Sequence, residues 1–163
     1  MQTDPVTTLS LTAIIATVAG SILWAFERTQ KPGIPHLRNW AYASLLQGAG
    51  IAAVMGLRTL LPFQTGIVIG NLLIMSAVLL YGSVIAAYSA RAVSWGFWFL
   101  LLLLFAVLHA TYLYVWPNLP ARMAIFSAFA AFVLLLSAGW LFLTKPSPNG
   151  GERFVAFLFA LTG

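Results

Sequence analysis

Five long runs of apolar residues, separated by short polar or proline-containing segments, dominate the hydropathy pattern of the chain. Each run is close to the roughly 20 residues that an α-helix needs to cross about 30 Å of hydrocarbon. The predicted spans cover residues 6–26, 40–61, 66–90, 95–115 and 122–143. The pattern predicts an all-α fold, a polytopic helical membrane bundle with five full transmembrane helices.

Proline marks most of the predicted turns. Residues 31–35 (KPGIP) separate the first two spans, Pro62 ends the second, and Pro117 and Pro120 bracket the turn after the fourth. Proline lacks the backbone N–H and clashes with the preceding helical turn, so these residues are interpreted as helix stops. All the connections are short. We therefore expect one membrane domain over residues 1–163, with antiparallel neighbouring spans and no soluble domain.

The last segment, residues 153–163 (RFVAFLFALTG), is apolar but short. As a helix it would reach only about 16 Å, roughly half of the hydrocarbon thickness. We interpret it as the start of a sixth span and expect the natural protein to continue beyond it. An interfacial or re-entrant tail is the alternative.

Composition supports the membrane assignment and removes several other classes. The chain is 61% hydrophobic and only 7% charged, whereas soluble domains carry roughly a quarter charged residues. A disordered chain would be polar and poor in aromatic residues, and the absence of cysteine excludes a disulfide scaffold. The eight Lys and Arg residues are scattered singly, so we expect the lipid bilayer as partner and no nucleic acid.

The basic residues are distributed unevenly between the two ends of the spans. Six of them follow spans one, three and five, namely Arg28, Lys31, Arg38, Arg91, Lys145 and Arg153, and the opposite side holds only Arg58 and Arg122. Basic loops stay in the cytoplasm. The sequence therefore predicts a multi-pass protein of the bacterial cytoplasmic membrane with a periplasmic N-terminus. The six tryptophans lie near span ends and are interpreted as interfacial anchors.

Three polar residues within the spans reach similar depths. At about 1.5 Å per residue, Arg58, Asn71 and His109 lie about 5, 8 and 9 Å below the outer ends of their spans, and Tyr112 is one turn from His109. Polar groups in lipid are costly and are functional candidates. These four residues form a candidate ligand-binding cluster that opens toward the periplasm. Alternatively, Arg58 snorkels outward and the other two make interhelical hydrogen bonds.

Small residues recur at four-residue spacing on two spans. They are Gly48, Ala52 and Gly56 on the second span, and Gly66 and Gly70 on the third. Such spacing lets helix backbones approach closely in lipid. We expect helix packing through these positions, and the spacing leaves open whether the contacts lie within one bundle or between the protomers of a homodimer.

The sequence contains no enzyme motif. The three acidic residues lie in the terminal or loop segments, no Cys/His spacing fits a metal, and no glycine-rich loop could cradle a phosphate. We therefore expect no catalytic residue, no metal and no cofactor, and this chain is not expected to be an enzyme by itself.

Three motifs around the second and third spans resemble those of a known family. They are His36–Ala41 (HLRNWA), Leu57–Pro62 (LRTLLP) and Ile67–Leu73 (IVIGNLL). The region from about residue 32 to 91 resembles the N-terminal multi-span sensor region of bacterial GGDEF-type diguanylate cyclases, which also precedes some histidine kinases. Arg58 and Asn71 are the candidate site residues that match this pattern.

The resemblance implies a sensing or anchoring role in bacterial signal transduction. In that family several spans precede a cytoplasmic catalytic domain that makes cyclic di-GMP, and the natural protein is then expected to end in such an output domain. This chain contains no GGDEF sequence, so the cyclase activity is not assigned to its residues. A small transporter, half of a transporter, or a structural membrane anchor are the alternatives.

Overall fold

The computed structural model describes residues 4–29, 36–57, 60 and 62–143, and within these residues every regular element is helical. The predicted all-α class is thereby confirmed. The elements in chain order are α1 (Pro5–Thr29), α2 (Leu37–Gly56), α3 (Phe63–Tyr88), α4 (Trp95–Ala110), a π-helical turn (Thr111–Val115) that continues α4, and α5 (Leu119–Leu143).

Four of these helices are long and apolar enough to cross a membrane, which makes the chain a multi-pass membrane protein. The four segments are Pro5–Thr29, Gln64–Tyr88, Trp95–Val115 and Leu119–Phe142. The sequence predicts five full spans, but only four helices of the described residues meet this description, and α2 is not among them. Its polar residues and three glycines lower its hydropathy, and it ends at Gly56. The predicted sixth span, residues 153–163, lies outside the described residues.

Polar groups of α1 are satisfied within the helix itself. At its start, the carboxylate of Asp4 accepts hydrogen bonds from the Thr7 hydroxyl at 3.0 Å and the Thr7 amide at 3.2 Å. These bonds, together with the bond from the Val6 amide, lower the pKa of Asp4. Further along, hydroxyl groups donate to the carbonyl four residues earlier, as Thr17 does to Ala13 at 2.8 Å. Local bonds of this kind let hydroxyl side chains occupy a membrane helix.

The chain divides into two compact units, Met1–Leu80 and Tyr81–Gly163, and the boundary falls within α3. The first unit contains α1, α2 and the first part of α3. The second contains the end of α3, then α4, the π-helical turn and α5.

In the first unit, helices meet where glycines leave room for a neighbouring backbone. A Cβ atom added to Gly20 on α1 would lie 3.0 Å from the Ala41 carbonyl oxygen on α2. One added to Gly50 on α2 would lie 2.8 Å from the carbonyl oxygen of Gly70 on α3, and one added to Gly70 would lie 2.7 Å from that of Gly50. A side chain at these positions would force the helices apart, so glycine sets the distance between the backbones.

The predicted packing residues of α2 are distributed over more than one surface. Gly48 faces α1, where an added Cβ would lie 3.1 Å from the Ala13 carbonyl oxygen. Ala52 and Gly56 are exposed, and no atom of the described residues lies within 4 Å of a Cβ added to Gly56. The close contacts therefore do not follow the single four-residue stripe that the sequence predicts. Gly66, on α3, is buried.

In the second unit, aromatic rings fill the space between helices. Phe105 on α4 is 0% exposed, and its ring lies 5.9 Å from Phe126 and 5.7 Å from Phe129 on α5. Trp98 is also buried and meets the ring of Trp140 at 6.1 Å in an edge-to-face arrangement. We predicted Trp98 as an interfacial anchor, but it packs inside this unit.

The end of α3 has a C-cap that contains a residue with positive φ. Ala90 has φ 54°, the Ala90 amide donates to Ala87 O at 3.1 Å, and the Arg91 amide donates to Ala86 O at 2.8 Å. This pair of bonds defines a Schellman motif, whose left-handed position is usually glycine. The alanine at this position carries conformational strain because its Cβ disfavours the left-handed region.

Candidate functional site

Three of the four predicted ligand-binding residues lie within the described residues, one in the first unit and two in the second. Arg58 lies outside the described residues, and Asn71 lies on α3 in the first unit. His109 is in the last turn of α4 and Tyr112 is in the π-helical turn that follows, both in the second unit. The structure thus places His109 and Tyr112 together at one end of the α4–α5 hairpin.

His109 lies in an aromatic environment. It is 3% exposed, and its imidazole stacks on the ring of Phe105 with centroids 5.2 Å apart and an interplanar angle of 26°. Phe105 is itself held against the two phenylalanines of α5. The imidazole is therefore fixed on one face by a ring that belongs to the core of the unit.

Arg122 is the site residue that the sequence analysis missed. We assigned it to the outer end of a span, as a flanking charge. In the structure it is on α5, one turn before Phe126, whose ring packs on the same Phe105 ring that stacks on His109. Its Nε and Nη1 atoms are buried and have no hydrogen-bond acceptor among the described residues. Arg122 and His109 are named the cationic cluster below, after the charge of the guanidinium.

The prediction that Pro120 would act as a helix stop is wrong, and this error explains why Arg122 was missed. α5 begins at Leu119, so Pro120 lies in its first turn, where the missing N–H would have had no partner in any case. The Asn118 side chain caps the helix by accepting from the Ala121 amide at 3.0 Å. An asparagine followed by Leu-Pro is a recognisable helix start, and it places Arg122 one turn inside the helix.

The π-helical turn joins the two sides of the site. The Trp116 amide donates to Thr111 O at 3.0 Å, and the Asn118 amide donates to Tyr112 O at 3.1 Å. These bonds reverse the chain within a few residues, so that the start of α5 returns beside the end of α4. Single π turns within α-helices occur frequently at functional sites. Here the turn leads directly from His109 to the segment that carries Arg122.

The site contains basic and aromatic groups but no carboxylate. The acidic residues of the chain are Asp4, Glu27 and Glu152, so none occurs between Arg28 and Gly151. Among the described residues no group of three His, Cys, Asp or Glu side chains could hold a metal ion. The chemistry available to the cationic cluster is hydrogen bonding and charge attraction toward an acceptor.

An apolar groove in the first unit offers different chemistry. It has a volume of about 460 Å³ and is lined by Tyr42, Leu45, Leu46, Ala49 and Leu80. The Tyr42 hydroxyl is the single polar side-chain group of this lining. The groove can accommodate a hydrocarbon chain, but it has no charged group to orient a polar ligand.

The helices and the cationic cluster define a multi-pass α-helical membrane protein with a polar site at one end of a helical hairpin. No family model, no curated protein and no solved structure matches the chain.

Proposed function

We propose that this chain is the membrane-embedded sensing region of a bacterial signal-transduction protein, anchored in the cytoplasmic membrane with a periplasmic N-terminus. The cationic cluster is the observation that supports this role best. An arginine whose Nε and Nη1 atoms are buried within a membrane helix is costly, and a helical bundle that served only as an anchor would gain nothing from it. A sensor, in contrast, needs a polar group whose energy changes when a stimulus arrives.

The proposed mechanism is a shift between two packings of the α4–α5 hairpin. A ligand shifts such an equilibrium only by the difference between its affinities for the two states. Binding at the cationic cluster compensates a charge whose desolvation penalty depends on how closely α4 and α5 enclose it. The packing that exposes more of the guanidinium is favoured without ligand, and the tighter packing is favoured with it.

Cyclic di-GMP synthesis is the proposed output, and its support is the resemblance of residues 32–91 to the sensor region of GGDEF-type cyclases. The basic residues in the connections after the first, third and fifth predicted spans support the proposed orientation, since positively charged loops stay in the cytoplasm. In this arrangement the site lies toward the periplasm and the output toward the cytoplasm.

The test uses the native gene, from its own start codon to its own stop codon, expressed in a bacterial host with a low background of cyclic di-GMP. We expect the gene to raise cyclic di-GMP severalfold over an empty vector, measured by mass spectrometry of cell extracts. Arg122→Gln should change that level while the amount of protein in the membrane stays the same. Arg91→Gln, which alters an exposed arginine of the same unit, is the matched control.

A gene product that leaves cyclic di-GMP at the vector level would contradict the proposed output. If the same product also showed no autophosphorylation, the sensing role would be contradicted as well, and a transporter or a structural anchor would take its place.

A further inference from the structure

We infer that Arg122 and His109 bind an anionic oxygen ligand, either a carboxylate or a phosphate group, at the junction of the π-helical turn and α5. This inference names the ligand class of the sensing site proposed above and depends on that proposal only for its biological meaning. Binding is measured on purified protein, so its failure is distinguishable from a failure of the signalling role.

The chemistry of Arg122 requires a hydrogen-bond acceptor. A guanidinium group keeps its charge in proteins and has only hydrogen-bond donors. Two of the nitrogens that carry these donors, Nε and Nη1, are buried without an acceptor in the described part of the chain. A buried charge is tolerated when it is paired and hydrogen-bonded. An acceptor with negative charge is therefore the group that this position requires.

No acidic side chain in the described part of the second unit can supply this acceptor. No Asp or Glu occurs from Arg28 to Gly151. Glu152 follows the opposite end of α5, and the last residue of that helix, Leu143, lies about 31 Å along the axis from Arg122 at 1.5 Å per residue. The other two acidic residues, Asp4 and Glu27, belong to the first unit. The described part of the second unit therefore contains no carboxylate that could pair with Arg122.

The environment of Arg122 and His109 strengthens the binding of an anion. His109 is buried, and its imidazole stacks on Phe105, so a ligand at the cluster is surrounded partly by hydrocarbon. Ion pairs and hydrogen bonds are stronger where the local dielectric constant is low. An imidazole beside the guanidinium supplies a further hydrogen-bonding group, and the planar guanidinium matches the geometry of carboxylate and phosphate oxygens.

Two sources can supply this ligand chemistry. Arg122 lies three residues after Leu119, the first residue of α5, and therefore about 4.5 Å from the helix start. Phospholipid phosphate groups and soluble anions from the aqueous side both occur at that depth. The experiment has separate arms for the two sources.

The experiment uses the full-length protein, purified in a maltoside detergent that contains no phosphate. The probes are succinate, inorganic phosphate and phosphatidylglycerol, each titrated at constant ionic strength with chloride as the reference anion. A ligand that binds only the folded state raises the melting temperature with concentration. Tryptophan fluorescence provides the signal, because Trp116 lies 6.4 Å from the ring of Tyr112 beside the site.

We expect at least one probe to stabilise the parent protein in a saturable way. Arg122→Gln should weaken that probe's binding by about tenfold to a hundredfold, as for the loss of a charged hydrogen bond, and Arg122→Lys should restore part of it. Arg91→Gln should bind like the parent. Without any probe, Arg122→Gln should melt at or above the temperature of the parent, because it removes an uncompensated charge.

Stabilisation by succinate or inorganic phosphate identifies a soluble anion, and stabilisation by phosphatidylglycerol alone identifies a lipid headgroup. The inference is overturned if chloride matches every probe, or if Arg122→Gln binds as tightly as the parent. It is also overturned if Arg122→Gln lowers the melting temperature equally with and without each probe, since the arginine would then have a purely structural role.

Discussion

Glycines bring the helices of the first unit together, whereas aromatic rings fill the space between the helices of the second. At Gly50 and Gly70 the neighbouring group is a backbone carbonyl, but around Phe105 it is a set of rings from α5. Lipid provides no hydrophobic driving force between helices, so both units depend on close van der Waals contact. Backbone contacts leave no space for other groups. Contacts between rings leave space for other groups, and the cationic cluster lies in the unit that uses them.

The largest expected effect comes from breaking the backbone contact in the first unit. Gly50→Leu would place a side chain where even a Cβ lies only 2.8 Å from the Gly70 carbonyl oxygen. Overpacking of this kind costs about 3 kcal/mol or more when neither backbone can yield. The free energy of unfolding in mixed micelles measures the loss.

Gly56→Leu is the matched control, because it makes the same substitution on the same helix at an exposed position. We expect its unfolding free energy to stay within about 1 kcal/mol of the parent, which is the size of the change in helix propensity. Equal losses in the two variants would mean that the close approach of α2 and α3 does not determine the stability of this unit.

The next effect comes from removing the central ring of the second unit. Phe105→Ala should lower the unfolding free energy by about 3–5 kcal/mol through the cavity it leaves among the rings of α5. It should also alter anion binding at the adjacent cluster, since Phe105 stacks on His109. Phe99→Ala, at a position that is 67% exposed, should have little effect on either measurement. A small loss at Phe105 would show that rings are not the main packing element.

The smallest expected effect comes from comparing glycine at a position with positive φ and glycine inside a helix. Ala90→Gly relieves the strain at φ 54° and should raise the unfolding free energy by about 1 kcal/mol or less, because the greater entropy of glycine in the unfolded chain offsets part of the gain. Ala87→Gly, one turn earlier and in helical conformation, should lower it by about 0.5–1 kcal/mol. Changes of the same sign at both positions would contradict the assignment of Ala90 as a strained C-cap.

Hydropathy and proline predicted most helix ends to within a few residues, but α2, predicted to reach residue 61, ends at Gly56. The span predicted to end at 115 ends with the π-helical turn at Val115, and the one predicted from 122 begins slightly earlier, at Leu119. The contact surfaces of α2 were harder to predict. Successive residues are about 100° apart around a helix, so Gly48 and Gly50 point in nearly opposite directions. A helix between two neighbours needs two contact surfaces, and a search for one four-residue stripe misses the second.

The candidate site was predictable in part. His109 and Tyr112 stand out because polar side chains are rare in the fourth span. Arg122 does not stand out in the sequence, because a single basic residue near a span end usually extends toward the lipid headgroups. Only the turn that folds α5 back beside α4 brings this charge to His109, and that geometry depends on the Asn118 cap and the π-helical bonds rather than on hydropathy.

The attachment of α1 has a consequence for how the sequence of this protein can drift over evolutionary time. α1 contacts α2 around Ala13, Thr17 and Gly20, which lie on one face of the helix at intervals of four and three residues, and Gly20 is its buried residue. Ser10, Ala16, Ala19, Leu23 and Glu27 are half-buried, and the remaining side chains are exposed and need only remain compatible with lipid. Selection should therefore preserve small residues at these three positions while the rest of the helix exchanges one apolar residue for another. Distant homologues should be easier to recognise by that short pattern than by their overall identity in α1.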